Sequence, residues 1–239
     1  MILRASELKV KVFADGADLA GIQKLAADPL IKGFTTNPTL MRKAGISDYE
    51  SFAKEVLGII GNRPISFEVF ADDDEAMTRQ ALKLASWGSN VYVKIPVMTT
   101  NGTPTTELAR HLAGEGVQLN VTAMMTVQQV EEVLPSLAGG PASYVSLFAG
   151  RVADTGVDPI PMMKQVLSII AAEPQIELIW ASPREVLNII QADEIGCDVI
   201  TVTHDLLSKL SGLGKDLTQF SLETVVMFYE DASASGFQL

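Results

Sequence analysis

Residues 90–97 read NVYVKIPV, and Lys94 stands there among Val91, Val93, Ile95 and Val97. The surrounding pattern is that of a strand buried on both faces. Burying an unpaired ammonium is costly, and a lysine in an apolar site keeps a neutral amine fraction that can attack a carbonyl to form a Schiff base. Lys94 could equally be half of a buried ion pair with Glu68 or Asp15. Lys94 alone leaves both readings open; its companions bear on the choice. Asp15 closes the run VKVFA (10–14), Asn37 ends GFTTN (33–37), and Glu68 lies within ISFEVF (65–70). Asn120 and Thr122 end VQLNVT (117–122), Ser146 lies in SYVSLF (143–148), and Ser182 follows IELIWA (176–181). Side chains two apart share a face of a strand, so Asn120 and Thr122 point together, as do Ser146 and Phe148. Each buried polar group adds a desolvation cost, so polar residues at successive strand ends are hard to explain as packing. They tip Lys94 toward chemistry.

Those residues need elements to hold them. With NVYVKI (90–95) and DVITVT (198–203), the β-rich runs number eight. Helical patterns lie between them, such as DEAMTRQALKLASWG and TVQQVEEVLPSLAGG, with apolar residues three and four apart and Gly just past the end. Eight alternations predict an α/β chain closed as a (β/α)8 barrel, a fold whose catalytic groups gather at the C-terminal ends of the strands. No Pro/Ser-rich linker or charge run interrupts the pattern, so residues 1–239 read as one domain. The segment FSLETVVMFYEDA (220–232) predicts an extra C-terminal helix with Leu222, Val225, Val226 and Phe228 as its apolar positions. It could pack on its own barrel or on a second subunit.

Composition narrows the classes. Hydrophobic residues make up 47% and charged ones 20%, enough for a sizeable core. A net charge of −11 argues against a nucleic-acid surface. Cys197 is the only cysteine, which is compatible with a reducing compartment, and His111 and His204 are far apart with no HxH, HExxH or CxxC spacing. A protein-built metal site and a glycine-rich nucleotide loop are both disfavoured, and no cofactor is expected. The first residues, MILRASELKVKVFADG, carry no long apolar stretch, and no uninterrupted apolar run reaches membrane length. The expectation is a cytoplasmic protein without membrane partners.

Seven blocks then carry a resemblance. FADGA (13–17), GFTTNPTLM (33–41), ISFEVF (65–70), VYVKIPV (91–97), LNVTAMMT (119–126), VSLFAGRVAD (145–154) and IWASPREV (179–186) resemble, in order and across nearly the whole chain, the transaldolase family of Schiff-base aldolases. The length is similar to that of the short subfamily, which also contains fructose-6-phosphate aldolases. The resemblance implies Lys94 as the Schiff-base lysine and Asp15 as the acid/base for the substrate's C4 hydroxyl. It implies that Glu68 and Thr122 hold and activate the water exchanged at the imine. Asn37 and Asn120 would bond the dihydroxyacetone portion, with Ser146 near its hydroxyls. Arg151, Ser182 and Arg184 match the family's phosphate-binding positions, and a guanidinium suits a phosphate through its parallel N–H donors. Sugar phosphates are thus the expected partners, and a homo-oligomer is implied because short family members form rings.

Two positions bear on the reaction. Transaldolases of the family carry Glu and Phe where the fructose-6-phosphate aldolases carry Gln and Tyr, and this chain has Glu68 and Phe148. The expectation is transfer of a dihydroxyacetone unit from a ketose phosphate, such as fructose 6-phosphate, to an aldose phosphate. The alternatives are an aldolase that releases dihydroxyacetone, and a transferase for a differently charged ketose such as a sulfonated one. A barrel that binds sugar phosphates without turnover would need the arginines but not Lys94, Asp15 and Glu68 together. Trp180 replaces a usually small residue, and Pro183 a usual aromatic. The indole either narrows the anion pocket or fills a gap in the barrel.

Overall fold

The computed structural model describes residues 5–236. Its strands are β1 (Lys11–Asp15), β2 (Ile31–Thr35), β3 (Ile65–Glu68), β4 (Val91–Pro96), β5 (Leu119–Met124), β6 (Ser143–Leu147), β7 (Ile176–Trp180) and β8 (Val199–Thr203). Each pairs in parallel with its neighbours, and β8 pairs with β1, closing the barrel that the eight alternations predict. Helices α1 (Leu19–Ala26), α2 (Pro38–Lys43), α3 (Tyr49–Ile60), α4 (Asp74–Ala85), α5 (Thr106–Gly114), α6 (Val127–Leu137), α7 (Ala149–Asp154), α8 (Ile160–Ile170), α9 (Leu187–Glu194) and α10 (His204–Ser208) alternate with the strands. A last helix, α11 (Leu217–Ser235), follows them.

The alternation along each strand sorts two cores. One set of side chains, including Val12, Val93, Val121, Leu178 and Val202, packs against the helices. The opposite set fills the barrel: Phe13, Tyr144, Ile179 and Val199 form a floor, with Tyr92 and Phe148 against it. Gly33 belongs to that floor by default, because a Cβ there would lie 2.6 Å from the Phe13 ring. The helices present their apolar stripes inward in the expected way. In α4, Met77, Ala81 and Leu84 are buried, and Asp73 caps the start by accepting from the Ala76 N–H.

Strand ends depart from the sequence pattern where the backbone bonds are claimed elsewhere. Asn37, expected to end β2, lies beyond it and caps α2, with Pro38 at the first helical position. Strand β3 stops at Glu68 rather than residue 70, because the N–H groups of Phe70 and Ala71 turn to Gln80 Oε1 at 2.8 and 3.0 Å. Strand β5 runs on to Met124 through a register shift after Val121, with Ala123 at φ 65°.

The C-terminal helix corrects one of the two readings of its apolar residues. None of α11 is buried, and Leu222, Val225 and Phe228 are 56–63% exposed. They do not pack on the barrel of their own chain. Among the described residues, no helix is long and apolar enough to cross a membrane.

Candidate active site

Above the aromatic floor lies a polar layer. Asn120, fully buried, donates from Nδ2 to Ser66 Oγ at 2.9 Å and accepts at Oδ1 from Ser146 Oγ at 2.7 Å. Both ends of its amide are thus fixed, one by β6 beside it and one by β3 beyond β4, and its orientation follows from those partners. Strand register places Glu68 opposite Lys94 and Lys94 opposite Asn120, so the three come to one level of the barrel. Lys94 is 7% exposed. Its Nζ lies 3.3 Å from Glu68 Oε2 and donates to the Thr36 carbonyl at 3.0 Å. The ion pair and the chemical reading are therefore compatible, since the paired amine still lines an open cavity.

That cavity, about 420 Å³, is bounded by Asp15, Asn37, Glu68, Lys94, Asn120, Thr122, Ser146, Phe148, Arg151 and Ser182. Every site residue singled out in the sequence except Arg184 lies on its wall. Thr122 lines the cavity, and its Oγ1 is buried with no hydrogen-bond partner among the described residues, so its bonding capacity is unspent. The left-handed Ala123 just beyond it also lines the cavity; the irregularity in β5 keeps two successive residues there. Asn37 spends its side-chain oxygen on the Leu40 N–H at 3.0 Å, leaving its amide NH2 as the group it can offer.

Asp15 is held by residues that the sequence did not single out. Thr35 Oγ1 donates to Asp15 Oδ1 at 2.6 Å and lies 2.5 Å from Thr201 Oγ1. Since the single Thr35 proton goes to the carboxylate, Thr201 is the donor in the second contact. Thr35 shares a face with Asn37, two residues on, which is the signal that could have found it. Burial pushes the Asp15 carboxyl above its ordinary range, against the opposing pull of Lys94, Thr35 and His204. A carboxyl so raised is a better proton acceptor than an ordinary one and can return the proton it takes.

The other side of the mouth is built from loops. Arg151 lies over the Phe148 ring, 5.0 Å from its centroid, and reaches the cavity. Ser182 adopts φ 58° and presses its carbonyl against Gly150, where a Cβ would stand 1.5 Å from that oxygen. No other residue fits at 150. Arg184 is engaged elsewhere: its Nε donates to Asp154 Oδ1 at 3.1 Å and its Nη2 pairs with Oδ2. The expected pair of arginines is therefore one on the cavity and one in a bidentate ion pair beside it. Trp180 does not narrow the pocket. It belongs to the set packed against the helices, fully buried, while Ile179 and Ala181 face inward. Its ring fills the barrel–helix layer, and truncation to alanine would cost about 3–5 kcal/mol.

The sequence description "Transaldolase/Fructose-6-phosphate aldolase" matches residues 12–238. The chain belongs to this family. A "probable transaldolase" of Dehalococcoides mccartyi is 35% identical over 202 residues, covering 84% of this chain and 90% of the relative. One from Novosphingobium aromaticivorans is 39% identical over 204 residues, with 84% and 88% covered. Among solved structures, one from Coccidioides immitis assigned as a fructose-1,6-biphosphate aldolase shares the fold at TM-score 0.57 and 12% identity, covering 86% of this chain and 80% of that one. The family enzyme, the barrel and the clustered polar residues agree.

Proposed function

We propose that this family member is a Schiff-base transaldolase that moves a dihydroxyacetone unit from a ketose phosphate, such as fructose 6-phosphate, to an aldose phosphate such as erythrose 4-phosphate. The observation that carries the reading is a buried lysine amine on a cavity wall, 3.3 Å from one carboxylate and sharing that cavity with a second, Asp15. Lys94 Nζ adds to the ketose carbonyl, and the carbinolamine loses water to give the imine. Glu68 moves the protons of that step, and the unpaired Thr122 hydroxyl suits the water involved. Asp15 takes the C4 hydroxyl proton as the C3–C4 bond breaks; the electron pair of that bond is stored as an enamine on Lys94, and the aldehyde leaves. An acceptor aldehyde is attacked by the enamine carbon, Asp15 returns its proton to the new hydroxyl, and water releases the longer ketose.

Phe148 supports transfer over release. Freeing dihydroxyacetone requires protonation of the enamine carbon, and Phe148 on the cavity wall has no proton to give. The reading with a differently charged donor drew on Trp180, and the outward indole removes that support. Asn37, Asn120 and Ser146 would hold the dihydroxyacetone portion, and Arg151 with Ser182 the phosphate. A homo-oligomer in the cytoplasm is part of the same proposal. The exposed apolar positions of α11 support the first, and the single buried thiol of Cys197 suits the second.

Incubation with fructose 6-phosphate alone should yield little free dihydroxyacetone, and adding erythrose 4-phosphate should give sedoheptulose 7-phosphate rapidly. Phe148→Tyr should shift that balance toward release, by about tenfold or more. Release as fast as transfer in the unmodified protein would make it an aldolase.

A further inference from the structure

Tyr49, on α3, is bonded to the backbone of Glu68 and occupies an unusual place in the sheet. Strands β2 and β3 are joined by the Phe34 N–H to the Pro64 carbonyl at 2.9 Å and the Thr36 N–H to the Ser66 carbonyl at 3.1 Å. In a parallel ladder the next bonds would run from the Glu68 N–H to the Thr36 carbonyl, and from the residue-38 N–H to the Glu68 carbonyl. Residue 38 is proline and has no N–H. The Tyr49 hydroxyl takes both missing places. It accepts from the Glu68 N–H at 2.9 Å and donates to the Glu68 carbonyl at 3.1 Å. The Thr36 carbonyl, relieved of its ladder partner, accepts from Lys94 Nζ instead.

We propose that Tyr49 is a positioning residue for the amine: by ending the β2–β3 ladder at Glu68, it frees the Thr36 carbonyl to hold Lys94 Nζ and aims the Glu68 carboxylate at the same nitrogen. The phenol is itself fixed by edge contacts with Phe67 and Trp87, at centroid distances of 6.0 and 5.7 Å. Burial drives its acidity well below that of an ordinary tyrosine, so the hydroxyl keeps the proton it donates. The inference rests on the Schiff-base reading and adds to it a residue that does not touch substrate.

The test compares Tyr49→Phe with Trp87→Phe in the full chain. Without the hydroxyl, the Glu68 N–H can fall back on the Thr36 carbonyl and displace Lys94. The rate of imine formation with dihydroxyacetone, read by borohydride quench and intact mass, should fall about 10- to 100-fold. The Tm should drop by about 2–8 °C, because the Glu68 carbonyl loses its donor. The KM for the aldose acceptor should stay unchanged while kcat falls. Trp87→Phe keeps the hydroxyl and loosens only the packing, so a similar Tm loss should leave the imine rate within about twofold. Equal slowing in both variants would mean general loosening and overturn the inference, as would an unchanged rate in Tyr49→Phe. If the unmodified protein is not trapped on Lys94 at all, the Schiff-base reading falls and takes the inference with it.

Discussion

The two sides of the barrel mouth are built on different terms. On the β1–β5 side, Asp15, Glu68, Lys94, Asn120 and Thr122 project from strands whose register places them at fixed levels. Lys94, Asn120 and Thr122 are almost fully buried. On the β6–β7 side, Arg151, Ser182 and Arg184 sit on loop and helix-start positions, partly exposed and held by a left-handed serine, a glycine and an ion pair. Bond-making chemistry needs tolerances of a fraction of an ångström, which strands supply. Anion binding tolerates more, because a charge acts over a distance and a guanidinium has several donors to offer.

The comparison can be broken most severely at Lys94. Lys94→Met should keep the barrel, seen by circular dichroism, and lower transfer by about four orders of magnitude or more with loss of borohydride trapping. Ketose-dependent trapping on a different lysine would move the chemistry away from this side of the mouth. Asp15→Ala should separate the steps: the imine with a ketose phosphate still forms and accumulates, while cleavage slows by about 10²–10⁴-fold. Loss of trapping in that variant would assign Asp15 to imine formation.

The anion side should respond to a smaller degree, and unequally. Arg151→Met should weaken phosphorylated substrates by about 10- to 100-fold and leave dihydroxyacetone nearly unaffected. Arg184→Met should cost less than about tenfold, since Asp154 already occupies one edge of that guanidinium. Equal losses for the two arginines, measured by KM with both substrates, would show that Arg184 leaves Asp154 when the phosphate arrives.

The smallest effect is on stability and carries a sign. Asp15 has its carboxyl raised above the ordinary 3.8 by burial, so the native state holds its proton more tightly than the unfolded chain. The resulting destabilisation is absent below the ordinary carboxyl range, grows as pH rises through the native value, and is complete above it. Asp15→Asn should therefore raise Tm at neutral pH, with the gain fading as the solution is acidified. A gain that persists unchanged at low pH would mean that the carboxylate's charge is not its source.

Strand-borne parts of the site were legible because alternation along a strand is a rule of backbone geometry. Asn120 and Thr122 two apart, or Ser146 and Phe148, must share a face whatever the fold does. Thr35 obeys the same rule, two residues before Asn37. Arg184 was legible only as a match to a family position, and nothing in the chain's order says that Asp154, thirty residues earlier, holds it. Trp180 had a place in the alternation too: with Ile179 and Ala181 inward, residue 180 must face the helices.

From the sequence alone came the eight alternating units, the single cysteine, the charge and the residue types that end each strand. Those are local properties, set by periodicity and by the cost of burying polar groups. Only the folded barrel decided which of those groups meet. Lys94 finds the Thr36 carbonyl because Tyr49, from a helix, closes the ladder beside a proline. The apolar face of α11 was visible in the chain, but its exposure was not, since a helix's stripe says what it can bury against and the packing of its own barrel determines whether anything is there.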